Sequence, residues 1–391
     1  MTYPTISLGK LCIDKPQYGA NAKAITRTSS SQPRYIRITD IDANGQLIPN
    51  GVAADVSDTS TYLLREGDLL IAHSGNTVGK SYLHPKGAEP SLFAGYLIRF
   101  QLSTKRINPR FAFFFTKSER YNSWLDSKRR VAGQPNINGT EYASLELPLP
   151  PLPEQDRIVE ILDQADALRQ QRRQADALSQ RILPALFHEM FGDPNRNERE
   201  WPTLPLDEAF DDVSRKGNKI PRSEYLTAGK IPVIDQGQDA IAGYWDEVGD
   251  AYRGKLPVTL FGDHTRIFKL LEHPFCIGAD GVRLLRPKAM DCHFAFGLLT
   301  LLDVPSRGYS RHFKELRSLS YINPPPDLQE RFGNALAELR KLTAKAATSA
   351  ATLETLFQTL LHRAFDGSLT AKWREGHAKE VLQEMKHQAK H

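Results

Sequence analysis

Three groups of residues have the types from which chemistry is built, and each departs from the spacing that chemistry needs. Ser74-Gly75-Asn76-Thr77-Val78-Gly79-Lys80-Ser81 approaches the glycine-rich loop whose backbone N–H groups cradle nucleotide phosphates. That loop needs four residues between its first glycine and Gly-Lys-Ser, and Gly75 is followed by only three. Tyr82-Leu83-His84-Pro85 also breaks the helix that should come next. Asn323-Pro324-Pro325-Pro326 carries three residues of the Asn-Pro-Pro-aromatic motif with which amino-methyltransferases stack a flipped base, but Pro326 stands where the aromatic belongs. No Gly-x-Gly loop for S-adenosylmethionine precedes it. His273, Cys276, Cys292 and His293 are metal-ligand types, yet adjacent Cys292-His293 is poor geometry and paired Cys-x-x-Cys spacing is missing. No nuclease carboxylate–lysine cluster and no nucleophilic serine elbow stands out, so the expectation is a chain without catalysis, cofactor or metal of its own.

Binding chemistry is more visible. Between residues 15 and 39 there are five basic residues (Lys15, Lys23, Arg27, Arg34, Arg37) and no acid. Residues 99–130 hold nine basic and two acidic residues. Arg215, Lys216, Lys219 and Arg222 form a further cluster, as do Arg307, Arg311, Lys314 and Arg317. Such stripes suit phosphate, because affinity for nucleic acid comes largely from counterion release. Tyr18, Asn21, Gln134, Asn136, Asn138, Tyr309 and His312 lie among them and have the groups that reach base edges or stack. The net charge of +5 over 391 residues agrees with nucleic acid without demanding it.

The elements that must position these residues are duplicated. Residues 150–192 and 324–367 both run from a proline cluster through a long helical pattern to Leu-Phe-His or Leu-Leu-His, and an offset of 174 aligns them. Tyr3-Pro4-Thr5-Ile6-x-Leu8 matches Trp201-Pro202-Thr203-Leu204-x-Leu206 at an offset of 198. The order is globular, helix, globular, helix. The globular parts alternate short apolar runs with turns: Tyr35–Ile38, Gly67–Ile71 and Tyr96–Phe100, then Ile231–Ile234, Val258–Asp263 and Gly281–Leu285. Phe111–Trp124 and Cys292–Leu302 read as helices. In the helical parts Ala165, Leu168, Ala175, Ile182 and Leu186 share a/d spacing with Leu339, Leu342, Ala346, Leu353, Leu356 and Leu360. This predicts a coiled-coil pair, antiparallel by pseudo-twofold symmetry, kinked or ended near Pro184. A helix of about 37 residues would be about 55 Å long, a rigid spacer holding two globular parts apart.

The fold class expected is α+β: two α+β domains in pseudo-twofold arrangement, separated by two long helices forming an antiparallel coiled coil. The boundaries are 1–150, a first helix at 151–193, a second domain at 194–323, a second helix at 324–370 and a tail at 371–391. Three cysteines exclude a disulfide scaffold and fit a reducing compartment. The first residues lack the apolar region of a signal peptide, and no apolar run approaches the length of a membrane span. A soluble cytoplasmic protein is expected.

With these motifs in order, the chain resembles the specificity subunits of type I restriction–modification systems. Four features carry the likeness. They are Tyr18–Lys23 with Tyr35–Ile41; Gly67–Ile71 with Gly75 and Val78–Lys80; Ile231–Ile234 through Gly262–Arg266 and Gly278–Gly281; and the duplicated proline lead-in to a long helix, including Pro151–Val159. The likeness covers about residues 3–370. It implies two target-recognition domains, each reading half of a bipartite site on double-stranded DNA. It implies two DNA methyltransferase subunits docked along the helices, carrying S-adenosylmethionine, and restriction or motor subunits using ATP and Mg within the complex. Candidate DNA contacts are Tyr18, Asn21, Lys23, Arg34, Arg37, Asn76, Lys80, Gln134 and Asn136, then Lys216, Lys219, Gln236, His264, Arg266, Tyr309, Arg311, His312 and Lys314. The second helix departs from the Glu154-Gln155 pair, having Leu328-Gln329 with one extra residue, which implies weaker or asymmetric docking there. Other readings are a targeting subunit of an orphan adenine methyltransferase and a stand-alone DNA-modifying enzyme.

Overall fold

The computed structural model describes residues 3–128, 136–278, 281–308 and 310–388. The chain divides into two units: residues 1–171 with 350–391, and residues 172–349.

In the first unit, strands β1 (Gln17–Tyr18), β2 (Asp68–Ala72), β3 (Ser81–Leu83) and β4 (Leu97–Gln101) form an antiparallel sheet in the order β1-β4-β2-β3. Every residue of β2 is buried, so its nearly continuous apolar run is that of a strand covered on both faces. Thr5–Ser7 pairs antiparallel with Glu146–Pro148, tying the start of the unit to the lead-in of the first long helix.

The predicted helix over 111–124 forms as two. Asn108 caps helix α1 (Pro109–Phe115), accepting from the amides of Arg110 and Phe111, and Pro109 sits where a missing N–H costs nothing. Thr116 and Ser118 then return their hydroxyls to the carbonyls of Phe113 and Phe115, and the chain restarts as α2 (Glu119–Lys128).

The second unit repeats this plan. Strands β5 (Phe210–Asp212), β6 (Val258–Gly262), β7 (Phe268–Leu271) and β8 (Val282–Pro287) are antiparallel in the order β5-β8-β6-β7, matching the first sheet strand for strand. Thr203–Pro205 pairs antiparallel with Ser320–Ile322, as Thr5–Ser7 does with Glu146–Pro148.

The first long helical stretch is α3 (Leu152–Ser179) followed by α4 (Ile182–Phe191). The break falls before Pro184, at Gln180–Arg181. Proline lacks the N–H that would continue the ladder, but as third residue of a new helix it leaves nothing unpaired. After α5 (Cys292–Leu301), the second long helix, α6 (Pro326–Asp366), is one piece.

Within the first unit the start of α3 packs antiparallel on the end of α6. Ile158, Leu162 and Ala165 share a core with Phe357, Leu361, Ala364 and Phe365. Arg169 bonds Glu354 at 2.6 Å and lies 3.9 Å from the Phe357 ring centre. Within the second unit Phe187 and Phe191 of α4 meet Phe332 near the start of α6, with ring centres 5.3 and 5.6 Å apart.

The predicted seam needs correction. Ala165 is buried, and Leu186, Leu339, Ala346, Leu353 and Leu360 are half-buried. Leu168, Ala175, Ile182, Leu342 and Leu356 are exposed. The helices bear two apolar stripes, and the buried one is fixed by aromatic side chains that dock on α1 in the first unit and on α5 in the second. The a/d register fell partly on the other stripe.

The repeat also runs deeper than predicted. Gln155 and Gln329 stand at the same offset of 174 with no extra residue, and both are buried. The Gln155 carboxamide accepts from the Asn108 amide at 2.8 Å and donates to the Pro150 carbonyl at 2.8 Å. Gln329 accepts from the Asp291 amide at 3.0 Å and donates to the Pro324 carbonyl at 2.7 Å. Asn108 and Asp291 are the capping residues of α1 and α5, so one glutamine per unit locks a cap to a long helix. The true asymmetry is Glu154 against Leu328.

Candidate nucleic-acid interface

In the first unit the candidate surface lies at one end of β2 and β4. His73, just past β2, faces Tyr18 edge-on at 5.2 Å between ring centres. Tyr96, just before β4, lies 6.0 Å from His73 and is 60% exposed. His73 Nε2 sits 3.0 Å from the Gly95 carbonyl and so must donate to it. Its Nδ1 lies 3.3 Å from the Asn136 side-chain oxygen. The Ile137 amide donates to the His73 carbonyl at 2.9 Å, holding Asn136 beside the strand end. The Tyr18 hydroxyl accepts from the Gly139 amide at 2.9 Å. Asn76 is exposed in the adjoining turn Gly75–Thr77, and Asn21 is exposed in the segment after β1. This end of the sheet presents ring edges, amides and a hydroxyl to solvent, the groups that read or stack on bases.

His73 and Tyr96 were not among the predicted residues. Each is a single residue at a strand end, and only pairing β2 with β4 places them together.

The loop that approaches a phosphate cradle is built for packing. The amides of Val78, Gly79 and Lys80 donate to the carbonyls of Gly75, Ala72 and Thr77. Gly79 has φ +90°, and a Cβ there would meet Leu125 Cδ1 at 2.3 Å. The turn is pressed against α2 with its donors already used, and Lys80 Nζ donates to the Ile41 carbonyl at 3.1 Å.

Two predicted contacts are taken out of the surface. Arg34 is 8% exposed, its guanidinium directed to the Ile48 carbonyl and to Glu89. His312 is 1% exposed. Its Nε2 accepts from the Arg307 amide at 3.1 Å, so Nδ1 donates to the Asp263 carbonyl at 3.0 Å. Both side chains complete the interior, which local sequence does not reveal. Arg37 is half-exposed and engaged with Asp40 at 2.8 Å.

In the second unit the corresponding strand end, after β6, is organised by Gln236. Its carboxamide oxygen accepts from the His264 amide at 3.0 Å, and its carbonyl accepts from the Thr265 hydroxyl at 2.7 Å. His264 Nδ1 lies 3.2 Å from the Ser310 carbonyl. Arg266 adopts φ +59° and donates to the Val304 carbonyl at 2.8 Å, fixing the turn. The His312 amide donates to the Asp263 carbonyl at 2.8 Å, the same bond that Ile137 makes to His73. Arg311 and Lys314 are exposed beside it. Lys216 and Lys219 are exposed on a separate segment, where Lys219–Ile220 pairs with Ile277–Gly278, and Lys23 is exposed on the strand Lys23–Ile25. Gln134 and Tyr309 lie outside the described residues, as do Ala279 and Asp280.

Among the described residues no three His, Cys, Asp or Glu side chains gather as metal ligands would, and no helix is long and apolar enough to cross a membrane.

Residues 19–175 match the type I restriction modification DNA specificity domain. The chain is 24% identical over 245 residues to the type I restriction enzyme MjaVIII specificity subunit of Methanocaldococcus jannaschii, covering 57% of this chain and 54% of that one. It is 26% identical over 200 residues to the StySPI specificity subunit of Salmonella potsdam, covering 46% and 42%. The chain thus spans about half the length of the curated relatives it matches. Among solved structures, a type I restriction-modification S subunit from M. genitalium aligns with TM-score 0.62 at 16% identity, over 93% of this chain and 96% of that one. A chain of another type I R-M system structure aligns with TM-score 0.52 at 19% identity, over 94% and 98%. These two likenesses concern the fold. Residues 19–175 are thus similar to a type I restriction modification DNA specificity domain, and the chain is similar to type I specificity subunits over about half of their length.

Proposed function

We propose that this chain is the non-catalytic DNA-reading subunit of a type I complex, and that its two units read two different blocks of one double-stranded target. One observation carries the reading. The same device, a strand end bonded to the segment that leads into a short helix, is built twice with different side chains. Ile137 to His73 in the first unit corresponds to His312 to Asp263 in the second. Around it stand Tyr18, Tyr96 and Asn136 in one case and Gln236, His264 and Arg311 in the other. A shared scaffold with unlike base-reaching groups gives unlike half-sites, hence an asymmetric bipartite target.

The helices serve two copies of one partner, a DNA methyltransferase subunit that brings S-adenosylmethionine. Restriction or motor subunits, with ATP and Mg, join through that complex. The support is the exposed apolar stripe. Leu168 and Leu342 are 52% and 62% exposed, and Ile182 and Leu356 are 48% and 47% exposed. Both pairs stand at the repeat offset of 174, as two equivalent docking places require.

Selection of duplexes from a random library, with the full chain and its methyltransferase subunits, tests this. The expected product is two unlike conserved blocks separated by unselected positions. A single block, or no enrichment, would overturn it.

A further inference from the structure

In the first unit a partly buried lysine has no acid in direct contact among the described residues. Lys117 follows α1 and is half-buried. Its Nζ donates to the Ser81 carbonyl at a long 3.4 Å and lies 4.7 Å from the Phe113 ring centre. Among the described residues it forms no ion pair. Burial pushes its amine down to about 8, a cost the fold tolerates without an internal acid in contact. Lys117 lines a cleft of about 360 Å³ together with Asn44, Lys80, Asn122, Arg169 and Gln358.

The acids in that cleft are already matched. Asp166 accepts from Arg169 at 3.1 Å and from Gln170 at 2.9 Å, with Arg110 at 3.5 Å. Glu354 accepts from Arg169 at 2.6 Å and from Gln358 at 3.0 Å. Asp42 and Arg110 also act on Lys117 through space, with opposite signs. Two lysines therefore remain over, beside three side-chain amides that can donate, in a cleft that is open and polar. Neither a buried apolar partner nor a cation suits this lining. A small tetrahedral oxyanion does, since it takes several donors and pairs the unmatched ammonium.

We propose that this cleft is a phosphate-binding site with Lys117 as its anchoring charge, separate from the base-reading strand ends. The inference stands on the cleft itself and does not depend on the reading of DNA given above. The phosphoryl group comes either from the DNA backbone or from a free small molecule.

Inorganic phosphate titrated into the full chain is the probe, read by calorimetry and by the Nζ resonance of isotope-labelled lysine. Roughly millimolar affinity is expected, with the Lys117 resonance moving on binding and its midpoint shifting upward. Affinity should fall roughly tenfold from about pH 7.5 to about pH 9.5, where phosphate stays a dianion but the amine loses its proton. Lys117→Gln should weaken binding by a similar factor, while the pH series on the unaltered chain covers the case that this variant folds poorly. Saturating cognate duplex that displaces the phosphate identifies the DNA backbone as source; phosphate retained beside duplex identifies a free small molecule. A Lys117 resonance that ignores phosphate, or an affinity unchanged by pH and by Lys117→Gln, overturns the proposal.

Discussion

Glu154→Leu is expected to destabilise the first unit by about 3 kcal/mol, because it leaves Tyr3, Thr370 and the half-buried Arg374 without their shared acceptor. Glu154 is fully buried and takes every donor around it. Tyr3 donates to it at 2.8 Å, the Thr370 hydroxyl at 2.6 Å, and Arg374 through Nε at 2.9 Å and a terminal nitrogen at 2.7 Å. Burial pushes the Tyr3 hydroxyl up to about 12, so it stays a donor across the working pH range. The network binds three distant parts of the sequence, including α7 (Ala371–Gly376), the start of a tail to which sequence reading assigned no role. The second unit has Leu328 at the equivalent place, packed against its aromatic core. Adding Arg374→Leu to Glu154→Leu should therefore recover part of the loss, since the remaining charge is gone. Because the chain has two units, hydrogen exchange resolved by segment is the suitable measurement. A loss below about 1 kcal/mol, or no recovery in the double variant, would contradict this account of the clasp.

Partner docking should respond to the exposed stripe one unit at a time. Arg169 pairs with Glu354, which puts Leu168 and Leu356 at one level of the first unit's helix pair. Leu168→Glu with Leu356→Glu should leave stability within about 0.5 kcal/mol, as exposed helix positions do. It should remove one of two methyltransferase subunits, weakening that contact roughly thirtyfold or more if these leucines anchor it. Ile182→Glu with Leu342→Glu should remove the other, and all four together should remove both. Mass measurement of the assembled complex distinguishes two, one and no bound partners. Full occupancy with all four substitutions would show that the partner sits elsewhere.

Much of this architecture was legible because it occurs twice. The offset of 174 found both long helices, and it places Gln155 and Gln329 in identical roles. Most of the apolar runs formed strands within a residue or two. The helix seam was legible only in part. Spacing shows that a stripe is apolar, whereas burial depends on where Phe357 meets α1 and Phe332 and Phe187 meet α5. The candidate site was the least legible. Basic clusters pointed to loops but could not separate exposed Arg311 and Lys314 from Arg34 and His312, whose partners arrive from distant segments. His73 and Tyr96 have no motif at all; the register of β2 against β4 makes them neighbours.

The central claim is that each unit reads its own block of DNA. The most direct test repeats the duplex selection with a chain altered only in the first unit's surface, at Tyr96→Ala and Asn136→Ala. Both residues are exposed, so the fold should be kept. The account predicts that one of the two blocks relaxes at one or two positions, each losing about 1–3 kcal/mol of discrimination, while the other block stays unchanged. Relaxation of both blocks together, or of neither, would contradict it.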